Sequence, residues 1–463
     1  MEEHYLVLVS VYITNFNYGK YIRKAVNSVL QQSLQEFEII IIDDGSTDDS
    51  REVIQEYRDH PQIKSIFQKN KGLNVTNNIA LRVAKGKYIM RLDADDFLDT
   101  NALLVMSTAL ENDPELGLVF PNYYLTDADG RVDSVHQRHD FEEVSLMDQA
   151  AHGACTMIRT KFLKELGGYS ENYQCQDGYE LWVKFTAKHP VMNVPTPLFY
   201  YRQHGNNLTK NENRILSTRA SINQEYVKEY EHLRHAISII PIRDTGTTNN
   251  RLALTNLADD TLLAHKINAA LGAENIQRVV VTSPDIHIKD YVQEKFGDNP
   301  KVIYVSRPKE QAQLNVGLID TVSQSLNDKQ LDGIEVTSFV ILAIEYPFVT
   351  ATTIDDAVNT LFLFKSDSLI SVRPDSSLFF QHHGHGMHPI LNQEKFTKLE
   401  REALYKYTGG ISVTRSEVFK EKAEIITGTV GHIIVDQKAS LGIYSEYDLQ
   451  LAQLVAKLEL SSS

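Results

Sequence analysis

The sequence predicts an α/β protein built from two doubly wound domains of the nucleotide-binding type. Short apolar, β-branched runs alternate with amphipathic segments along the chain, a pattern typical of parallel strands joined by helices. The alternation starts afresh near residue 236, after a polar segment with helical spacing. A chain of 463 residues is long enough for two such domains.

The first domain is predicted to span residues 1–209. Apolar runs predict strands at 6–13, 37–42, 63–68 and 86–91. Amphipathic spacing predicts helices at 21–31, 50–59 and 76–84. The run at 37–42 is almost wholly apolar, as expected for a strand covered on both faces of a parallel sheet.

A helical linker is predicted at 210–235, followed by the second domain at 236–463. Its strands are expected at 236–243, 278–282, 302–305, 338–344, 369–372 and 410–413. Its helices are expected at 261–271, 286–296, 314–326, 353–364 and 447–458.

Composition and termini limit the class of protein. A net charge of −15 argues against nucleic acid as a partner, because phosphate binding needs a basic surface. Two cysteines are too few for a disulfide framework, although one Cys155–Cys175 bridge stays open. No signal peptide or apolar run of membrane-spanning length is found. We therefore expect a cytoplasmic protein that is at most peripheral at the inner face of the membrane.

The strand at 86–91 ends in Asp93, Asp95 and Asp96. Buried carboxylates are costly unless a cation or hydrogen-bond donors meet them. At the carboxyl end of a strand in an α/β sheet they face the crevice where ligands bind. This pattern predicts a divalent metal, Mn²⁺ or Mg²⁺, that holds a diphosphate. The alternative is an acidic turn, since Asp is favoured in turns.

Four segments resemble, in order, motifs of the family 2 glycosyltransferases: 9–13, 42–48, 70–72 and 92–96. Further segments that resemble the family lie at 157–159, 165–169, 176–182 and 200–207, so the resemblance covers residues 5–215. It implies the GT-A fold and a metal-dependent reaction that inverts the stereochemistry at the sugar.

The resemblance also implies roles for individual residues. Asp95 would bind the metal through its DxD-type motif, and His204 would be a metal ligand or a diphosphate contact. The residues implied in nucleotide binding are Thr14, Asn15, Asn17, Asp43, Asp44, Asn70 and Asp93. Two plainer alternatives stay open: Asp43 and Asp44 could cap the following helix, and His204 could be a surface histidine.

The catalytic base is implied near Trp182. In the family it lies four residues before the tryptophan, but here Gly178 holds that position and Asp177 lies one residue earlier. Either the loop is shifted by one residue and Asp177 is the base, or Glu180 takes the role. Asp177 is preferred.

The second half resembles the cytidylyltransferases that activate acidic sugars, such as the CMP-sialic acid synthetases. The resembling segments are 239–243, 256–257, 280–283, 306–310, 344–350, 354–357, 409–415 and 444–449. The family's phosphate loop carries a lysine that residues 244–251 lack, and Gly442 and Tyr444 replace two metal-binding aspartates. Loss of those ligands removes the metal clamp, so this domain is predicted to be catalytically degenerate. The resemblance implies a homodimer formed through it.

The sequence therefore predicts a glycosyltransferase that moves a sugar from a nucleotide-sugar donor, with UDP preferred. The acceptor would be a glycan, a lipid-linked sugar or a protein, in the synthesis of a bacterial surface polysaccharide or glycoconjugate. Such a transfer needs a neutralised diphosphate, a base for the acceptor hydroxyl and an anchored nucleotide. The alternatives are a bifunctional CMP-sugar synthetase and glycosyltransferase, and a non-catalytic scaffold or sugar-nucleotide sensor.

Overall fold

The computed structural model describes residues 7–136, 153–173, 175–203, 212–228, 231–243, 252–313, 315–375, 377, 379–382, 384, 386–389 and 404–460. The chain divides into two compact units, Met1–Arg219 and Ala220–Ser463. Both are built from strands and helices in alternation, so the α/β class is confirmed.

Nine strands of the first unit, counted over its described residues, form one sheet. They are β1 Val9–Asn15, β2 Phe37–Asp43, β3 Ile63–Phe67, β4 Tyr88–Asp93, β5 Phe97–Leu98, β6 Leu118–Thr126, β7 Val132–His136, β8 Met157–Arg159 and β9 Val191–Arg202. The helices are α1 Gly19–Leu30, α2 Ser50–Gln55, α3 Leu73–Val83, α4 Ala102–Asn112, α5 Thr160–Glu165 and α6 Asp177–Thr186. A further helix, α7 Glu212–Tyr226, contains the boundary between the two units.

The sheet is mixed, with the order β3-β2-β1-β4-β8-β6-β9-β5 and β7 beside β6. Strands β1 to β4 are parallel to their neighbours in that order. Beyond them β8 is antiparallel to both β4 and β6. The four strands predicted from the sequence are thus parallel, as expected. The strands beyond them make the sheet mixed, which hydrophobic periodicity does not reveal because it does not depend on strand direction.

Strand β1 lies between β2 and β4 and is buried on both faces. Val9, Val11 and Ile13 pack with α1 residues on one side, whereas Tyr12 faces a second cluster. The second cluster contains Trp182, which is 1% exposed and so belongs to the core. A strand covered on both faces has a fixed register, because a one-residue slip would exchange the two faces.

The second unit contains a seven-stranded sheet within its described part, with the order β14-β13-β10-β15-β19-β16-β20. Its strands are β10 Ala236–Pro241, β11 Asn256–Leu257, β12 Asp260–Thr261, β13 Ile276–Ser283, β14 Val302–Ser306, β15 Ser338–Leu342, β16 Ser368–Asp375, β17 Phe380–His382, β18 Met387–Pro389, β19 Leu404–Arg415 and β20 Val430–Ile434. Its helices are α8 Leu262–Gly272, α9 Ile286–Phe296, α10 Ile319–Leu326, α11 Ala351–Leu363, α12 Ser416–Lys422 and α13 Glu446–Leu460.

Most predicted elements of the second unit lie within a few residues of the observed ones, and α9 coincides with its prediction. The helix predicted at 314–326 begins later, at Ile319, two residues after Gly317. The segment predicted as a helical linker contains α7, which ends at Tyr226, and a short 3₁₀ helix at Glu231–His235.

The helices and the two cysteines of the described residues answer two questions that the sequence raised. None of their helices is long and apolar enough to cross a membrane. Cys155 and Cys175 are both free thiols, so the bridge left open by the sequence is not formed.

Candidate functional site

The candidate site lies where β1, β2 and β4 end. In the register of the sheet Thr14 is opposite Asp93 and Asn15 is opposite Asp43. The Thr14 hydroxyl donates a hydrogen bond of 2.9 Å to Asp93 Oδ1. Three strands that end at one edge of a parallel sheet thus bring five of the predicted residues, Asp44 included, to one place.

The loop after β1 is fastened to the loop after β2 through Ser46. The Ser46 hydroxyl accepts hydrogen bonds from Asn15 Nδ2 at 3.1 Å and from the Asn17 backbone N–H at 2.8 Å. Asn17 Oδ1 in turn accepts from the Thr47 N–H at 2.7 Å. Asn15 is 2% exposed, and its Oδ1 accepts no hydrogen bond from the described residues. A buried acceptor without a donor fits a ligand that supplies one.

Asp43 and Asp44 hold the loops around them. Asp43 accepts from the Ser46 N–H at 3.1 Å and pairs with Arg51 Nε at 3.3 Å. Asp44 accepts from the backbone N–H groups of Lys71 at 2.8 Å and Gly72 at 2.9 Å. The N-cap of α2 is Asp49, so the alternative in which Asp43 or Asp44 caps that helix was wrong.

Asn70 lies in the turn that Asp44 organises, and its side chain is exposed. The turn packs closely on Gly45, whose φ is +86°. A Cβ at that position would lie 2.7 Å from the Asn70 backbone nitrogen. Only glycine combines this positive φ with so close an approach of two backbone segments.

Asp93, Asp95 and Asp96, here called the acidic cluster, follow β4. Asp93 pairs with Arg91 Nε at 3.0 Å. The Arg202 backbone N–H donates to Asp96 Oδ1 at 2.9 Å, and Arg202 Nε donates to the Asp95 carbonyl at 2.7 Å. Asp96 is 1% exposed, and its Oδ2 has no hydrogen-bond partner among the described residues.

Burial and like charge dominate the electrostatics around Asp96. Burial, followed by the negative charges of Asp95 and Asp93, raises the pKa of Asp96 well above its ordinary value. Burial and the same charges, with that of Asp96, also raise the pKa of Tyr18. Like charges this close favour a bound cation.

The described residues supply only some of the ligands that a metal ion at the acidic cluster would need. They contain no group of three or more His, Cys, Asp or Glu side chains positioned to hold a metal ion. The predicted ligand His204 lies outside them. The buried, unpartnered Asp96 Oδ2 and the mutual repulsion of the carboxylates are nevertheless what an oxygen-ligated cation would relieve.

The two candidates for the base differ in environment. Asp177 is the first residue of α6, directly after Gln176, whose φ of +63° is left-handed; its side chain lies outside the described part of the chain. Glu180 is 1% exposed and pairs with Lys184 at 2.8 Å. Lys184 also donates to the Gly168 carbonyl. Glu180 is therefore held in a buried ion pair.

Sequence reasoning missed two arginines of the site. Arg91 is 6% exposed and lies in β4 beside Asp93; a charged residue inside an apolar strand, two positions before a carboxylate, was the available signal. Arg202 lies in the segment 200–207 that resembles the family, but the sequence assigned no role to it. Its guanidinium reaches the Asp95 carbonyl and, at 2.8 Å, the Ala128 carbonyl, so it fixes the backbone of the acidic cluster.

A groove of about 560 Å³ lies elsewhere in the first unit, between α1, α2 and β5. Its lining includes Lys20, Arg23, Lys24 and Phe97 but none of the predicted site residues. The chemistry is therefore assigned to the strand ends, where carboxylates and unpartnered acceptors converge.

Residues 10–167 match the protein family described as Glycosyl transferase family 2. The chain is 29% identical over 238 residues to the chondroitin synthase of Escherichia coli, covering 49% of this chain and 34% of that protein. It is 26% identical over 235 residues to the hyaluronan synthase of Pasteurella multocida, covering 49% of this chain and 24% of that protein. A crystal structure of residues 1–349 of Staphylococcus aureus TarS with UDP-GlcNAc is similar at 14% identity and a TM-score of 0.43, over 84% of this chain and 98% of that one.

The chain thus spans about a third or less of the two synthases that it matches. The family match ends at residue 167 and does not reach the second unit, whose likeness to cytidylyltransferases stays a prediction. The resemblance of the first half to this family is confirmed over residues 10–167, which match its model.

Proposed function

We propose that this chain is a metal-dependent, inverting glycosyltransferase that uses a nucleoside-diphosphate sugar, with a UDP-sugar as the first candidate. The observation that carries the proposal is the meeting of polar side chains at the ends of β1, β2 and β4. Thr14 and Asp93 are hydrogen-bonded there, and the loops bearing Asn15, Asp43 and Asp44 are held by fixed contacts.

Nucleotide recognition is assigned to the ends of β1 and β2. The buried Asn15 Oδ1 can accept from a ring N–H or a ribose hydroxyl. Asp43 and Asp44 are already oriented by backbone donors, and each keeps lone pairs for the base. Asn17 and Asn70 would border this pocket. Side chains preorganised in this way lose little entropy on binding, which favours affinity.

The acidic cluster is assigned to the diphosphate side of the donor. Asp95, with His204, would hold Mn²⁺ or Mg²⁺, and Asp93 would contact the ribose and the metal. When bound, the cation neutralises the charge that develops on the leaving diphosphate. Arg91 and Arg202 keep the backbone and carboxylates of this cluster in position before the donor arrives.

Transfer itself is assigned to Asp177. Its carboxylate takes the proton of the acceptor hydroxyl as that oxygen attacks the anomeric carbon. The bond from that carbon to the diphosphate oxygen breaks, its electron pair leaves with the nucleotide, and the configuration inverts. The burial of Glu180 in an ion pair with Lys184 favours Asp177 over Glu180 for this role.

The acceptor is proposed to be a growing glycan or a glycoconjugate. The relatives named as chondroitin and hyaluronan synthases support a polysaccharide product. The second unit is proposed to be a degenerate cytidylyltransferase-like domain that serves as a scaffold.

A thermal-shift screen of the full chain tests the proposal. UDP, GDP, CDP, CMP and CTP are each added with and without Mn²⁺, because a ligand that binds the native state raises the unfolding temperature. We expect a Mn²⁺-dependent shift with one nucleoside diphosphate, first of all UDP. Asp95→Asn should abolish it, whereas Asp59→Asn, at a carboxylate 99% exposed, should keep it.

Three outcomes count against the proposal. A shift that is unchanged in Asp95→Asn would remove the metal role of the acidic cluster. A shift with CTP or CMP that survives Asp95→Asn would favour the bifunctional alternative. Hydrolysis of the donor by Asp95→Asn at the wild-type rate would favour the scaffold alternative.

A further inference from the structure

Helix α3 holds a loop that leads to the proposed catalytic base. This loop, residues 168–173, follows α5 and contains neither helix nor strand. Asn74 lies in the first turn of α3 and is 4% exposed. Its Nδ2 donates to the Ser170 carbonyl at 2.6 Å and to the Tyr173 carbonyl at 2.9 Å. Both hydrogens of one buried amide are thus given to the backbone of the loop.

Asn78 and Lys184 hold the start of the same loop. Asn78 lies four residues after Asn74, on the same face of α3. Its Nδ2 donates to the Tyr169 carbonyl at 2.8 Å, and its Oδ1 accepts from the Tyr169 N–H at 2.9 Å. Lys184 of α6 donates to the Gly168 carbonyl. Gly168 has a φ of +74°, and a Cβ there would lie 2.6 Å from Asn78 Oδ1, so this close contact needs glycine.

The N-terminal end of α3 is tied to the nucleotide side of the candidate site. Asp44 accepts from the backbone N–H groups of Lys71 and Gly72, which directly precede the helix. Asn74 is two residues after Gly72, less than one helical turn away. The contact to Asp44 and the contact to the 168–173 loop are therefore made by the same short piece of chain.

We propose that Asn74 is a positioning residue for glycosyl transfer, because it fixes the 168–173 loop from which the chain enters α6. This rests on the proposed function, which assigns Asp44 to the nucleotide and Asp177 to the acceptor hydroxyl. Asp177 is the first residue of α6 and follows Tyr173 by four residues, a length that spans at most about 14 Å. A displacement of the loop is therefore passed on to the start of α6. Asn74 acts through the backbone of the loop and is not a catalytic residue.

The same contacts link nucleotide binding to the position of the base. A nucleotide that contacts Asp44 restrains the start of α3, and Asn74 passes this restraint to the 168–173 loop. Binding that orders a segment couples two sites, typically by a factor of about 5 to 150. We therefore expect the loop to open less often when the nucleotide is bound.

Hydrogen exchange of the full chain, followed by mass spectrometry, tests the contact. The amides of residues 168–173 should exchange at least ~10-fold faster in Asn74→Leu than in the wild type, because two hydrogen bonds to the loop are lost. Leucine keeps the size and branching of asparagine but has no donor. A smaller variant, Asn74→Ala, repeats the measurement, so that a poor fit of leucine does not decide the result.

Gln32→Met is a matched control. Gln32 is 2% exposed, and its Nε2 also donates to two backbone carbonyls, those of Ser28 and Asp99, which lie outside the loop. Both Asn74→Leu and Gln32→Met should lower the unfolding temperature by roughly 5 °C. Only Asn74→Leu should speed up exchange in residues 168–173.

The link to the nucleotide is tested by adding UDP, and GDP in a parallel series, each with Mn²⁺. Exchange of residues 168–173 should slow at least ~5-fold in the wild type and stay unchanged in Asn74→Leu. With UDP-glucose and UDP-N-acetylglucosamine as donors, kcat for release of UDP should fall on the order of 10²-fold in Asn74→Leu, because a small misplacement of a catalytic group has an effect of this size. KM for the donor should change by no more than the ~5-fold coupling.

The outcomes separate this proposal from the proposed function. Exchange of residues 168–173 that is unchanged in both Asn74 variants, or is raised equally by Gln32→Met, would overturn the positioning role. A nucleotide that raises the unfolding temperature of the wild type but does not slow this exchange would overturn the link. Absence of any nucleotide-dependent shift would overturn the proposed function and the link with it, whereas exchange in the chain without nucleotide still judges the contact.

Discussion

The buried lysine of the second unit gives the sharpest prediction of stability. Lys266 in α8 is 0% exposed, and its Nζ donates to the Tyr346 carbonyl at 2.5 Å. Burial lowers the pKa of Lys266 to about 7, and the negative charge of Glu345 opposes this only in part. We expect Lys266→Met to stabilise the second unit near pH 7 and to remove most of its pH dependence.

The magnitude follows from proton linkage. In the unfolded chain a lysine titrates near pH ~10.4, so between that pH and the folded pKa the unfolded state binds more protons. Stability of the wild type must therefore rise with pH across this window. A difference of about 3 pKa units corresponds to about 4–5 kcal/mol, at about 1.4 kcal/mol per unit. In the variant the Tyr346 carbonyl has lost its hydrogen-bond donor, which should reduce this stabilisation by roughly 1 kcal/mol.

Urea unfolding of the full chain at several pH values from about 7 to about 10, within the window between the two pKa values, measures this. Far-UV circular dichroism follows both units, whereas the single tryptophan, Trp182, lies in the first unit and serves as an internal reference. Wild-type stability of the second unit should rise with pH, and the Lys266→Met curve should be higher and flatter. Parallel curves for the two proteins would refute the reasoning.

Three shorter predictions follow. Glu180→Gln leaves a buried ammonium without its partner and should cost about 3–5 kcal/mol of stability in urea unfolding; wild-type stability with lost transfer would instead identify Glu180 as the base. Asp44→Asn weakens two charge-assisted bonds to backbone N–H groups and should cost about 2 kcal/mol in the same assay, which an unchanged unfolding curve would contradict. Native protein should expose one thiol, Cys175, to a disulfide reagent, because Cys155 is 0% exposed and burial raises its pKa; rapid reaction of both thiols would show that this core opens.

Hydrophobic periodicity located the parallel strands well, because β1, β2 and β4 are buried on both faces and read as continuous apolar runs. It missed β6 and β9. Strand β9 carries Pro195 and Pro197, which argue against a strand in a sequence. In the fold the pairing of β6 with β9 shifts register next to these prolines, so the missing N–H groups are accommodated at irregularities.

The polar residues at the strand ends could be named from the sequence, since their positions depend only on where each strand stops. Their partners could not. Glu180 and Lys184 are four residues apart, a spacing that is visible in the sequence, but nothing in the spacing says that the pair is buried. Burial depends on how α6 packs against the sheet, and so the buried ion pair of Glu180 could not be predicted from the sequence.

Arg202 has a consequence for the predicted ligand His204. The side chain of Arg202 is bonded to the Asp95 carbonyl, and His204 is two residues further along the chain. Two peptide units span at most about 7 Å, so only a short stretch of chain separates Arg202 from this predicted ligand. A tethered group has a high effective concentration at its target. Loss of the Arg202 guanidinium should therefore weaken the proposed cation binding, because the Asp95 carbonyl would lose its donor.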